Sequence, residues 1–144
     1  MNDALQVLRD HLRKKGLKDT SQREEILTHL SKADRHLSPE ELFDVIRKHD
    51  PKIGRATVFR TIKLLEECGL VSKVTFPDGH TRYERAHGRH HHDHMICVDC
   101  QDVVEFESDE IEALQSLVAK RNHFQMLWHR HEIFGRCRRC AGKQ

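Results

Sequence analysis

The sequence predicts an α+β chain in two parts, an N-terminal winged helix-turn-helix domain followed by a small α/β domain. Three observations carry this expectation. Helical periodicity with clear stops fills the first half and gives way to a strand, a turn and a returning strand. A short, polar, glycine-containing stretch follows. The last third then reads as strand, strand, helix, strand around two Cys-x-x-Cys pairs. With 144 residues, 33% charged and 37% hydrophobic, the chain can build one ordinary domain or two small ones, and small domains often need a staple.

Leu5, Leu8 and Leu12 recur at helical spacing, and Gly16 ends that helix after Arg13-Lys14-Lys15. Thr20 or Ser21 can cap a second helix, with Glu24 placed for a capping box to Ser21 and Ile26, Leu27 and Leu30 as the buried stripe. His36-Leu37 forms a loop. Ser38-Pro39-Glu40-Glu41 opens a third helix that buries Leu42, Val45 and Ile46 and stops before Asp50-Pro51, since Ser caps well, Pro fits the first turn and Glu complements the dipole. A fourth runs from near Gly54 to Cys68, burying Val58, Ile62 and Leu65 and displaying Arg55, Ala56, Phe59, Arg60 and Lys63. Leu70 to Phe76 has strand chemistry, Pro77-Asp78-Gly79-His80 is a turn, and Thr81 to Glu84 returns. Three helices and a hairpin make a winged helix, in which the last helix before the hairpin enters the DNA major groove.

Ala86-His87-Gly88-Arg89 marks the hinge. The expected division is residues 1–85 for the winged helix, 86–90 for the hinge and 91–144 for the second domain. There, Met95 to Val98 and Val103 to Phe106 read as strands, and Ser108 to Lys120 as an amphipathic helix through Ile111, Leu114 and Leu117/Val118. Phe124 to Phe134 reads as a third strand. So small a unit, with so few core residues, is expected to pair with a copy of itself.

Cys97/Cys100 and Cys137/Cys140 each supply half a tetrahedral site, because two intervening residues let one turn present both sulfurs to one ion. Four sulfurs suit a closed, structural zinc, with no position left for water or substrate. The adjoining run His90-His91-His92-Asp93-His94 is harder and more open, and suits an exchangeable Fe(II), Mn(II) or Zn(II). Cys68, the odd cysteine, reads as a small buried residue. The chain opens Met1-Asn2-Asp3-Ala4 without a basic, apolar leader, and no apolar run reaches ~18 residues, so a cytoplasmic chain with no membrane association is expected. The basic excess is N-terminal, where Arg9, Arg13, Lys14, Lys15, Lys18 and Arg23 meet only Asp3, Asp10 and Asp19; such a face can bind polyanion or simply be solvated.

The winged-helix N-terminus, the segment Gly54-Arg55-Ala56-Thr57-Val58-Phe59-Arg60-Thr61, the histidine run and the two Cys-x-x-Cys pairs, in this order, resemble the ferric uptake regulator family across nearly the whole chain. The resemblance implies a homodimeric, metal-dependent repressor that binds double-stranded operator DNA, with no small-molecule substrate and a C-terminal dimerisation domain. It implies a regulatory site of His92 and His94 with His36, Glu84 and Glu105, Glu84 standing one residue off the usual spacing. It implies an additional site of His91 and Asp93 with Glu112 and His129, whose regulatory or structural role stays open. Strand alternation agrees with this split, sending His92 and His94 to one face and His91 and Asp93 to the other. His131 shares a face with His129 and matches no family ligand. For DNA, the resemblance points to Lys15 in the minor groove and to Arg60 with Phe59 in the major groove, with Arg23 and Thr57 as phosphate contacts. Phe59 stands where tyrosine is usual; it keeps an apolar face for thymine methyls without the hydroxyl, and can equally be a core aromatic.

Iron, zinc, nickel, manganese and peroxide sensors share this scaffold. Glu105, where peroxide sensors resembling it carry Asp, favours iron, and a zinc- or peroxide-sensing relative is the alternative. A zinc enzyme would need a general base, as in His-Glu-x-x-His or His-x-Glu with Pro-Cys-x-x-Cys, and neither motif is present, so no enzyme is expected. A zinc-stabilised nucleic-acid-binding adaptor without sensing is a third reading.

Overall fold

The computed structural model describes residues 2–142 and divides into two compact units, one ending at Arg89 and the other beginning at His90. The first unit holds α1 (Asn2–Lys14), α2 (Ser21–Lys32), α3 (Pro39–His49), α4 (Arg55–Glu67), β1 (Val71–Thr75) and β2 (Thr81–Arg85). This is the helices-then-hairpin order of a winged helix. Its core takes one stripe from each helix: Leu8 and Leu12, Ile26, Leu27 and Leu30, Leu42 and Ile46, and Val58, Ile62 and Leu65, joined by Val71 and Tyr83 from the hairpin. Val45 is only half buried.

Local chemistry sets the helix ends. Ser38 accepts from the Glu41 amide at 3.1 Å while the Glu41 carboxylate accepts from the Ser38 amide at 2.8 Å, a closed capping box with Pro39 in the first turn. On α2 the cap is Thr20, which accepts from the Arg23 amide, and no box forms from Ser21. Glu24 turns instead to the Arg9 guanidinium on α1. After α4, Gly69 takes φ +72, which lets the Gly69 and Leu70 amides bond back to Glu66 and Leu65 and turns the chain into β1. Cys68 is the half-buried C-cap of that helix, packed against the core, with its Sγ 3.5 Å from the Leu65 carbonyl.

β1 and β2 pair antiparallel. A single further bridge matters for function: Leu37, in the loop before α3, exchanges both backbone hydrogen bonds with Tyr83 at 2.9 and 2.7 Å. The loop is thereby laid along β2, and His36 comes beside Glu84.

The second unit contains β3 (Asp93–Cys97), β4 (Val103–Phe106), α5 (Asp109–Arg121), β5 (Glu132–Gly135) and the short α6 (Arg138–Ala141). The sheet order is β4-β3-β5, antiparallel between β3 and β4 and parallel between β3 and β5. Ser108 caps α5 by accepting from the Ile111 amide. One expectation needs correction here. The third strand is confined to β5 and does not begin at Phe124, because residues 125–130 find no partner strand among the described residues; only the His131 carbonyl joins the ladder, accepting from the His94 amide at 3.2 Å. The apolar stripe on α5 is exposed: Leu114 is 61% exposed and Val118 57%, with Phe124, Leu127 and Trp128 exposed beyond it.

Replacing Ser38 by alanine removes the cap on α3 and half of its box. The expected result is a loss of about 1 kcal/mol of stability in the first unit, read as a lower urea midpoint with an unchanged slope.

Candidate metal centres and nucleic-acid face

Parallel pairing gives β3 and β5 the same direction, so their ends coincide. Cys97 pairs with Gly135, and the Val98 amide donates to the Gly135 carbonyl at 2.9 Å, which brings Cys137 to the end of β3. The turn after β3 is closed by Gln101 at φ 60 and carries Cys100. All four sulfurs lie within 4.8 Å of one another, with Cys100 and Cys137 3.7 Å apart. Four sulfurs at about 2.3 Å from one zinc would stand about 3.8 Å apart, so the group fits the ion. Amides support it: the Cys100 and Cys137 N–H groups hold the Cys97 thiol down to about 6. The Cys140 amide likewise lowers Cys137. Cys140, hydrogen-bonded to Cys137 and crowded by Cys100 and Cys97, is pushed up to about 12. Arg139, raised first by its bond to Cys137 and next by Asp102 at 3.1 Å, adds positive charge beside the sulfurs.

At the opposite end of the same strand pair, His129 comes alongside His91. Glu112, in the first turn of α5, reaches both: its Oε1 is 3.0 Å from His129 Nε2 and 3.4 Å from His91 Nε2, which is itself 3.3 Å from Asp93 Oδ1. The four donors lie within 4.8 Å of one another. Asp93 Oδ1 and His129 Nε2 are sealed from solvent, and despite these short distances neither has the angle for a hydrogen bond. Atoms aimed at a common centre rather than at one another behave this way. A nitrogen and oxygen set at about 2.0–2.1 Å from one ion would show edges of about 3.3 Å, so this group also fits a cation.

The remaining predicted ligands fall in both units. In the first, buried His36 and Glu84 meet at 3.3 Å; Glu84 also accepts from Ser72 Oγ at 3.0 Å and from Arg89 at 2.7 Å. In the second, His92 and His94 share a face with rings 5.0 Å apart, and His92 Nε2 is 3.9 Å from Glu105. His92 Nδ1 donates to the His90 carbonyl at 3.0 Å, which fixes the ring with Nε2 on the Glu105 side. Arg89 was not singled out from sequence; a hinge arginine has no pattern that foretells a buried carboxylate partner. His131 meets Phe106 edge-on and joins none of these groups.

A model of the ferric uptake regulator family matches residues 14–134. The chain belongs to that family. The ferric uptake regulation protein of Campylobacter jejuni is 41% identical over 135 residues, covering 92% of this chain and 85% of that one. The Helicobacter pylori ferric uptake regulator, whose structure reveals three functional metal binding sites, superposes with a TM-score of 0.87 at 34% identity, over 99% of this chain and 95% of that one. A zinc-bound manganese uptake regulator has a TM-score of 0.64 at 38% identity, over 91% of this chain and 98% of that one. Family members are transcription regulators.

The residues expected at DNA lie in the first unit of this ferric uptake regulator relative. Arg60 is exposed on α4 and Thr57 half buried in its first turn. Phe59 packs against the core with the Arg55 guanidinium 5.0 Å above its ring, so it serves packing as well as any contact. Lys15 is ion-paired with Glu67, and Arg23 donates to the Lys18 carbonyl.

Zinc loading of the metal-free chain is expected to release protons at pH 7.5, from Cys140 above all, since its thiol is held protonated there. Acid restores the competing protons, and below pH 6 Cys97 joins them, so zinc affinity falls as pH drops. Competition with a chromophoric chelator across pH 5–8 measures this; a flat profile contradicts it.

Proposed function

We propose that the protein is a metal-dependent DNA-binding repressor, iron-responsive and cytoplasmic, that acts as a homodimer on palindromic operators. The observation that carries this reading is the division of donors. His36 and Glu84 are fixed side by side in the first unit by the Leu37 to Tyr83 bridge, and His92, His94 and Glu105 gather on one sheet face of the second. Two donors in one unit are too few to hold a divalent ion firmly. In this reading the two sets serve one regulatory cation, which supplies the positive charge that lets their carboxylates share a centre. His92 is held in its donor tautomer by the His90 carbonyl, and Glu84 exchanges its Arg89 partner for the cation.

Such sharing makes the angle between the units depend on metal, and in a dimer it sets the separation of two α4 helices. Half-sites accept only matched spacing, so metal-free protein binds its operator weakly. A coupling of about 1–3 kcal/mol is typical, and by linkage the operator tightens metal binding in return. On α4, Arg60 and Phe59 would read base edges, while Lys15, Arg23 and Thr57 hold the sugar-phosphate backbone. Lys15 must trade Glu67 for DNA. The exposed Leu114, Leu117, Val118, Leu127 and Trp128 support pairing with a second copy, since so many exposed large apolar side chains on one small unit call for a cover.

Mixed imidazole and carboxylate donors suit Fe(II) and Mn(II) as well as zinc, and similarity to a zinc-bound manganese uptake regulator supports manganese or zinc sensing as the second reading. Titrating Fe(II), Mn(II) and Zn(II) anaerobically into zinc-loaded protein, with a palindromic AT-rich duplex as probe, separates the readings. Operator binding is expected to appear with Fe(II) or Mn(II) and to drop at least tenfold in His92→Ala. Binding that needs no added metal contradicts sensing altogether; a response to trace Zn(II) alone contradicts iron. Leu117→Glu is expected to shift the protein from dimer toward monomer in sedimentation velocity.

A further inference from the structure

Strand register places one more acid beside the regulatory donors of the second unit. His94 pairs with Glu105 on one side and with Glu132 on the other, so the three side chains form a row on the sheet face that also carries His92. Glu132 is largely buried, with its side chain only 12% exposed. Its Oε1 is sealed from water and accepts no hydrogen bond. The nearby cation is Arg130, two residues earlier in the chain, which donates to Oε2 at 3.0 Å and stands 2.9 Å from Oε1 at an angle that makes no bond. A buried carboxylate oxygen without a donor costs free energy unless a positive charge relieves it. Arg130 is half exposed and can leave at small cost.

We propose that Glu132 is a further specificity-determining acid of the regulatory metal face, with Arg130 as the counter-cation that competes with the bound metal for it. The inference rests on reading His92, His94 and Glu105 as regulatory donors. Without metal, the Arg130 guanidinium neutralises Glu132. With a divalent cation on the face, the Glu132 carboxylate adds negative charge one strand away from His94, and Arg130 is released to solvent. Added carboxylate character favours the harder Mn(II) and Fe(II) over Zn(II), for which imidazole is the better partner. Glu132 thus sets both the affinity of the face and its preference among ions.

The test uses full-length protein with zinc retained at the cysteines, and follows free Mn(II) by electron paramagnetic resonance. Glu132→Gln is expected to weaken Mn(II) binding roughly tenfold, as losing a supporting partner of a ligand does, with a smaller effect on Zn(II). Arg130→Gln is expected to tighten it, a direction that damage to the fold does not produce. His92→Ala is the control for the underlying site. If His92→Ala abolishes uptake while Glu132→Gln and Arg130→Gln leave it unchanged, the role of Glu132 is overturned and the regulatory site stands. If His92→Ala changes nothing, the site itself falls and the inference with it.

Discussion

The parallel pairing of β3 with β5 decides which side chains of the second unit can share an ion. An antiparallel pair would set the start of one strand against the end of the other, and each metal motif would face the wrong partner. Running together, the strands bring Cys97 and Cys100 to Cys137 and Cys140 at one end and His91 and Asp93 to His129 at the other. The α5 crossover that a parallel pair requires delivers Glu112 to the second group in its first turn. One backbone arrangement therefore assembles both groups, with His129 just before β5 and Cys137 just after it.

This unit has little else to hold it. Among its described residues, only Ile96 and Cys97 are buried hydrophobics, whereas the first unit draws its core from four helices and a hairpin. A chain segment with so small a core gains its order from the metal, whose binding free energy is folding free energy, and from whatever covers its apolar face. The first unit stands on ordinary packing and capping. The Leu37 bridge that widens its sheet also seats His36 against Glu84.

Much of this was legible in the sequence where a local rule acts alone. Ser38, Pro39 and Glu41 announce α3 because capping is settled within four residues, and the spacing of the two Cys-x-x-Cys pairs announces the four-sulfur cluster because two residues between cysteines suffice for one turn. Legibility fails where a distant partner decides. Thr20 outcompetes Ser21 as a cap while Arg9 on another helix takes Glu24. Apolar residues after Phe124 look like strand, yet a strand needs a neighbour that the unit lacks there. Periodicity marks the stripe on α5 but not what covers it. Arg89 and Arg130 carry no motif at all; their roles exist only through the acids they meet.

Trp128 directly precedes His129 and is the chain's one tryptophan, and Tyr83, which holds Leu37 and adjoins Glu84, is its one tyrosine. The first unit thus carries the one tyrosine and the second the one tryptophan, each adjoining a side chain of a candidate metal group. Tryptophan emission reports on the second unit and tyrosine emission on the first, so the two halves of the molecule can be watched separately by light alone, without a label.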